Sequence, residues 1–384
     1  FNCGLINVFA PIFEGTGLYD PNFTCDVYDI DRELDELHAL GVRSIFPIHR
    51  FDNKFGGTYV DDGVLSFGNA LSTGHLFQTE ACAADTRGAD INGVPILGQG
   101  YTDLLQTLFD LVGLQVDTRL LEYDPDIDHC NMRGLSPIGS YLINRMIDKK
   151  MIIEIDHASA KAATSILDIA SARNYSGVVT SHSWVHLKPD TSVHDHVKRL
   201  LNLGGFAASY HSSVTKEYGL NQNDGFYIDT GIGRYLDVLK NSPYVQGVGL
   251  GSDISGLGKQ VGPRDSSDTD PLKYPFVSEF GLRFDRQQTG NRVFDLNIDG
   301  MTHYGMMADN LQDIRVRGDA GTYDAIMNSA EAYLQMWERT TDNSNQKYID
   351  TAEPFFKIVN RQTGTCFDVD NHNVNVLPDM AVQA

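Results

Sequence analysis

One pattern recurs along the middle of this chain and leaves few folds open. An apolar run of strand length ends in a ligand-type side chain, and a stretch of helical periodicity follows. Met151-Ile-Ile-Glu-Ile-Asp156-His157, Val178-Val-Thr-Ser-His182-Ser183 and Val248-Gly-Leu-Gly-Ser-Asp253 are the clearest cases. Buried strands alternating with helices signal a parallel sheet. Delivering His or Asp at the carboxyl end of such a strand is how a (β/α)8 barrel builds a metal site on its catalytic face. The expected fold class is therefore α/β, of the (β/α)8 TIM-barrel type, with His157, His182 and Asp253 as metal ligands.

The units can be followed in order. Ile30, Leu34, Leu37 and Leu40 recur at helical spacing, Gly41 supplies a stop, and 42–49 reads as a strand closing on His49. Residues 51–133 break the rhythm and read as an insertion above the barrel. Ser136-Pro137 restarts a helix as N-cap and first helical residue, with Ile138, Leu142 and Met146 as its stripe. Strand 151–156 follows, then a helix capped by Ser159 that carries Ala163, Ile166, Leu167 and Ala170. Next come strand 177–181, a helix near 193–203, strand 205–210, helix 232–240 and a glycine-rich strand 246–252, whose small residues suit close backbone approach.

Residues 254–300 read as a long loop. A last helix, 323–338, carries Ile326, Ala330, Tyr333 and Trp337 and is expected on the barrel exterior. His157 and His182 lie 25 residues apart, which fits one βα unit of about 25 to 40 residues, and Asp253 falls about two units further on. The domain reading is a barrel over 1–345 and a separate C-terminal β segment over 354–384. In the latter, Phe355 to Val369 forms a hairpin turning at Gly364.

Charge and cysteines narrow the setting. The net charge of -21 repels polyanions, so nucleic acid is excluded as a partner. No apolar run reaches the roughly 20 residues of a membrane span. Five cysteines do not match a zinc ribbon, while the sequons Asn22-Phe-Thr and Asn174-Tyr-Ser permit glycosylation. Together they favour a secreted glycoprotein, with Cys3–Cys25 and Cys82–Cys130 the pairs that staple local excursions, against a cytosolic chain of buried thiols. Other clusters carry less. His194-Asp195-His196 falls at a predicted helix start, where it would be solvated. Gly231-Ile-Gly233 opens no dinucleotide fingerprint. Asp299-Gly-Met-Thr-His303 either brings His303 back over the site or is a turn.

Gly134-Leu-Ser-Pro-Ile-Gly139, Ile155-Asp-His157-Ala-Ser159, Thr180-Ser-His182-Ser183 and Gly249-Leu-Gly-Ser-Asp253 together resemble the membrane (renal) dipeptidase branch of the amidohydrolase superfamily. Larger secreted homologues of that branch are the nearest likeness, over roughly residues 26–340. The resemblance implies a binuclear zinc hydrolase that cleaves a peptide or other amide bond with a metal-bound hydroxide. It makes His157 and His182 zinc ligands, Asp253 both a ligand and the proton acceptor, and His49 the group that contacts substrate and stabilises the oxyanion.

Two departures qualify that likeness. The family's first-strand HxD pair and bridging Glu have no counterpart before His49, Glu14 reading as a surface carboxylate. The chain is thus expected to be the later part of a barrel whose first strands a second polypeptide or another segment supplies. The family's substrate-gripping Arg is also replaced: Ser183-Trp-Val-His-Leu-Lys188 offers only Lys188, a point charge without the bidentate fork. Lys188, Tyr210 and His303 join His49 as substrate-binding candidates, with Trp184 either pocket or packing. The C-terminal hairpin resembles the opening of a ricin-type β-trefoil or is a plain hairpin. A homo-oligomer stays open, and the alternative function is a non-catalytic extracellular structural or binding protein on a degenerate barrel.

Overall fold

The computed structural model describes residues 25–60, 68–69, 72–73, 77–81, 107, 110–111, 113, 129–182, 193–210, 232–251, 261–264, 271–317, 320–342, 358–359 and 366–367. The chain divides into two compact units, one formed by residues up to 251 with 324–345, the other by 252–323 with 346–384.

In the first unit helix α1 (Val27–Ala39) leads to strand β1 (Ser44–Ile45). β2 (Thr79–Ala81) and β3 (His129–Asn131) pair antiparallel. Then α2 (Pro137–Asp148), β4 (Ile152–Glu154), α3 (Ala160–Ala172), β5 (Val178–Thr180), α4 (Val193–Asn202), β6 (Phe206–Tyr210), α5 (Ile232–Leu239) and β7 (Gly249–Gly251) alternate among the described residues. The strands make one parallel sheet in the order β1-β4-β5-β6-β7, registered Ser44 to Ile152, Ile153 to Val178, Val179 to Phe206 and Ala208 to Gly249. Among the described residues this is a run of parallel strands with helical crossovers, and no pairing closes its two edges into a cylinder.

Local chemistry sets the element ends. Asp26 caps α1 by accepting from the amides of Tyr28 and Asp29, and Gly41, at φ 98°, takes the left-handed turn after it. Ser136 caps α2 through the Gly139 amide, with Pro137 in the first turn. Ser159 caps α3 through Ala162, and the expected face of Ala163, Ile166, Leu167 and Ala170 is wholly buried. Asn174 of the second sequon is exposed just beyond α3. Cys25 and Cys130 are buried and disulfide-bonded; Cys3 and Cys82, the partners expected for them, lie outside the described residues.

Several expectations are corrected. The strands are shorter than the apolar runs suggest: β1 stops at Ile45 instead of running to His49, because Pro47 has no amide to give a ladder. Leu40 is no part of the α1 stripe; it caps the helix and is 82% exposed. His196 is not solvated: it is buried and lies 2.7 Å from the Thr164 hydroxyl of α3. The helix expected over 323–338 is two, α8 (Ala320–Met327) and α9 (Ser329–Asp342), broken at Asn328.

The buried face of α9 is Ala332, Met336 and Thr340, so Ala330 and Trp337, placed on it by the sequence, face outward. Ala332 and Met336 pack on Ile152, Val179, Phe206 and Ala208. Each such side chain removed from water contributes about 1.5–3 kcal/mol for its larger members. Arg339 donates to the Gly204 carbonyl at 2.8 Å and Lys150 to that of Thr341. α9 thus crosses the amino-terminal ends of β4, β5 and β6, leaving the carboxyl ends for the site.

In the second unit the expected long loop 254–300 holds two antiparallel hairpins, β8 (Phe276–Val277) with β9 (Arg283–Phe284) and β10 (Gln288–Thr289) with β11 (Arg292–Val293). Helices α6 (Leu296–Asp299) and α7 (Met307–Arg317) follow. Its interior is mainly apolar, with Leu272, Leu296, Met301, Met306 and Ile314 buried; among them Arg264 pairs with Asp313, both almost fully buried, and Tyr274 donates its hydroxyl to Asp309. β12 (Ile358–Val359) and β13 (Cys366–Phe367) pair antiparallel, as a hairpin around Gly364 requires. Among the described residues nothing beyond that pair supports a trefoil. No helix among the described residues is long and apolar enough to cross a membrane.

Candidate metal centre

The carboxyl ends of β4 and β5 bring two imidazoles together. His157 and His182 are 2% and 7% exposed, and their Nε2 atoms stand 2.9 Å apart. His157 reaches this place through a left-handed backbone, φ 66°, which an L side chain adopts at a cost of order 1–3 kcal/mol. Its carbonyl is held by the Tyr59 amide at 2.6 Å and the Thr58 hydroxyl at 2.8 Å. The Thr58 hydroxyl also meets the carbonyl of His49, so one side chain ties together the two backbone points that carry His49 and His157. Thr58 is itself fixed by Asp52, which accepts from the Thr58 amide at 2.9 Å and from Asn131 at 2.7 Å. The start of the region expected as an insertion therefore braces the site.

His182 is held from behind. Its backbone amide donates to Asp156 Oδ2 at 2.7 Å, and its Nδ1 lies 2.8 Å from the same oxygen. Asp156 is fully buried and also takes the Thr180 hydroxyl on Oδ1. The Ser181 amide donates to Glu154 Oε1 at 3.1 Å. Burial, with the neighbouring charge of Asp156 adding to it, raises the Glu154 carboxyl well above the usual range. Gly251, at the end of β7, completes the packing: a Cβ there would meet the Ser181 carbonyl at 2.0 Å and His182 Cα at 2.8 Å. Only glycine permits that approach.

Toward solvent the pair is bordered by His49, exposed and edge-on to His157 with ring centroids 4.6 Å apart. Phe46 places its ring 5.6, 6.0 and 6.1 Å from those of His49, His157 and His182. Phe46 thus sets an apolar ring against all three imidazoles.

Of the residues expected at the site, His49, His157 and His182 are brought together. Asp253 and Lys188 lie outside the described residues, as do Trp184 and Glu14. Tyr210 ends β6 in register with Gly251, on the same sheet edge as the histidines. His303 belongs to the second unit, where its ring packs edge-on against Phe294 at 4.7 Å. The sequence reading missed Asp156, Glu154, Thr58 and Phe46. Asp156 had a signal, since an acid immediately before a strand-end His is placed to reach the next strand. Thr58 had none, being 99 residues from the carbonyl it holds.

The donor set can be tested against a metal. Two converging imidazole nitrogens, one ring backed by a carboxylate on its far nitrogen, are a borderline-soft pair of the kind zinc takes. Their separation lies within the about 4 Å that two zinc–nitrogen bonds can span. Among the described residues no group of three or more His, Cys, Asp or Glu surrounds one point, so further ligands would come from elsewhere in the chain or from water.

No family model and no curated protein matches the chain. Among solved structures it is similar to a dipeptidase AC described as a metallo peptidase, at 13% identity and a TM-score of 0.39 over 80% of this chain and 61% of that one. It is also similar to a metallo peptidase from Rhodobacter sphaeroides liganded with a phosphinate mimic of L-Ala-D-Ala, at 14% and 0.39 over 80% and 58%. An amidohydrolase from Pseudomonas aeruginosa follows at 13% and 0.30 over 54% and 57%. The chain spans less than two thirds of the length of each.

Proposed function

We propose that this chain is a metal-dependent hydrolase of the dipeptidase-like amidohydrolase kind, acting on a peptide or other amide bond, with zinc as its metal. The observation that carries the reading is the buried Nε2 pair of His157 and His182 at 2.9 Å, on the carboxyl ends of adjacent parallel strands. A parallel sheet places its chemistry at that edge. His157 and His182 would hold the metal, with Asp253 as a third ligand, and the two ions of a binuclear site would need donors beyond these. A bound divalent metal supplies an acidified water and polarises the scissile carbonyl.

The chain's own groups divide the remaining work. His49, exposed and edge-on to His157, donates to the oxygen that gains charge as the carbonyl is attacked. Asp253 accepts a proton and returns it to the leaving amine. Tyr210 and Lys188 border the substrate, Lys188 meeting a free carboxylate as a point charge. Secretion, glycosylation and completion of the barrel by a second polypeptide belong to the same reading.

Metal analysis of natively purified protein, paired with hydrolysis of dipeptide and simple amide substrates, tests it. Zinc near one equivalent or more, and hydrolysis lost on His182→Ala with folding retained, are expected. Protein without bound metal or hydrolysis would overturn the proposal and leave the non-catalytic binding protein in its place.

A further inference from the structure

We infer that Asp156 is the positioning residue of the histidine pair. It fixes His182 in the tautomer that carries its proton on Nδ1, so that a bare Nε2 lone pair faces His157. The inference deepens the metal reading above and rests on it for its purpose, but its central claim can be tested without metal.

Three contacts to one buried carboxyl make the case. Asp156 Oδ2 accepts the His182 backbone amide at 2.7 Å and lies 2.8 Å from His182 Nδ1, while Oδ1 takes the Thr180 hydroxyl. A carboxylate has no proton to give, so any proton between Oδ2 and Nδ1 comes from the imidazole. The Ser181 hydroxyl, 2.9 Å from Nδ1, is also in reach and could donate instead. That arrangement would set the Nδ1 lone pair against a carboxylate oxygen at 2.8 Å, a repulsion without compensation at a site where Asp156 is 0% exposed. Nδ1–H is therefore the form the surroundings select, with Ser181 Oγ as a second acceptor.

The consequence falls on the opposite nitrogen. With His182 Nε2 bare, the 2.9 Å contact to His157 Nε2 requires a proton on His157 when no cation is present. Were a cation held here, the His157 proton would have to leave Nε2, moving to Nδ1 or to solvent, so that both Nε2 lone pairs could serve as ligands. Asp156 also fixes the direction of the lone pair, because it holds both the ring and the peptide of His182. Glu154, the last residue of β4 and two before Asp156, holds the neighbouring peptide through the Ser181 amide. Two acids at the carboxyl end of β4 thus set the segment that follows β5.

The test uses the full chain, freed of metal and labelled with 15N at histidine, the His182 signals being assigned by their loss in His182→Ala. Ring 15N shifts report which nitrogen carries the proton. Nδ1–H is expected in the unmutated protein. Asp156→Ala is expected to shift His182 toward Nε2–H, while Asp156→Asn retains Nδ1–H through its carboxamide oxygen. Affinity for Zn2+ alone, measured by chelator competition, should fall about 10- to 100-fold in Asp156→Ala and less in Asp156→Asn.

Nε2–H at His182 in the unmutated protein overturns the inference even where Asp156→Ala fails to fold. An unchanged tautomer and affinity in a folded Asp156→Ala overturn it as well. Nδ1–H in a protein that takes up no Zn2+ upholds the assignment of Asp156 and sinks the metal reading instead.

Discussion

His157 combines a costly backbone with a buried, ring-to-ring contact, and the two can be separated by substitution. His157→Ala and His157→Gly remove the same imidazole, but only glycine occupies φ 66° without strain. The glycine variant should be more stable by about 1 kcal/mol in urea denaturation, although both lose metal. Equal stability would mean that the left-handed conformation carries no cost. Glu154 gives a second residue-scale prediction. Its carboxyl is raised by burial and by Asp156, so the folded protein holds this proton more tightly than the unfolded chain does. The associated stability is full below the ordinary glutamate value near 4.3 and is lost as pH rises toward the folded value. Glu154→Gln, neutral throughout, should flatten that fall, so that the variant equals or exceeds the native protein in melting temperature at neutral pH and gains nothing in acid. A parallel pH profile for the two proteins would show that Glu154 is not the group responsible.

At the scale of elements the decisive contacts are those between strand ends. Gly251→Ala would force a methyl to within 2.0 Å of the Ser181 carbonyl. Because the obstacle is backbone, which cannot swing aside as a side chain can, a loss of about 1–3 kcal/mol is expected in thermal or urea unfolding, with weaker binding of the proposed metal as His182 is displaced. The glycine-rich strand was legible in the sequence for this reason: small residues in a buried strand announce close approach. The capped helices α2 and α3 were legible too, since Ser136, Pro137 and Ser159 act through hydrogen bonds within a few residues. Strand lengths were not, because hydrophobicity persists where the ladder stops, as at the buried Ile48 beyond β1. The break at Asn328 and the true face of α9 were also hidden, because both are set by which strands the helix crosses. Likewise Thr58 and Asp52 brace His49 and His157 across long stretches of chain, a relation that no local pattern encodes.

For the molecule as a whole the net charge of -21 complicates any metal titration. An acidic chain is compacted by any salt, because screening weakens its self-repulsion, and divalent ions screen more strongly than monovalent ones. Raising NaCl from about 10 mM to about 150 mM shortens the screening length from about 30 Å to about 8 Å and should raise the melting temperature of the native protein and of His182→Ala alike. Specific binding behaves differently. At constant ionic strength, Zn2+ at about 100 times its dissociation constant should stabilise the native protein by a further 2.7 kcal/mol or so, and a chelator should reverse the gain. His182→Ala lacks one of the two converging nitrogens and should show the salt response without the zinc increment. A zinc response of equal size in both proteins would assign it to the diffuse charge of the surface and not to the histidine pair.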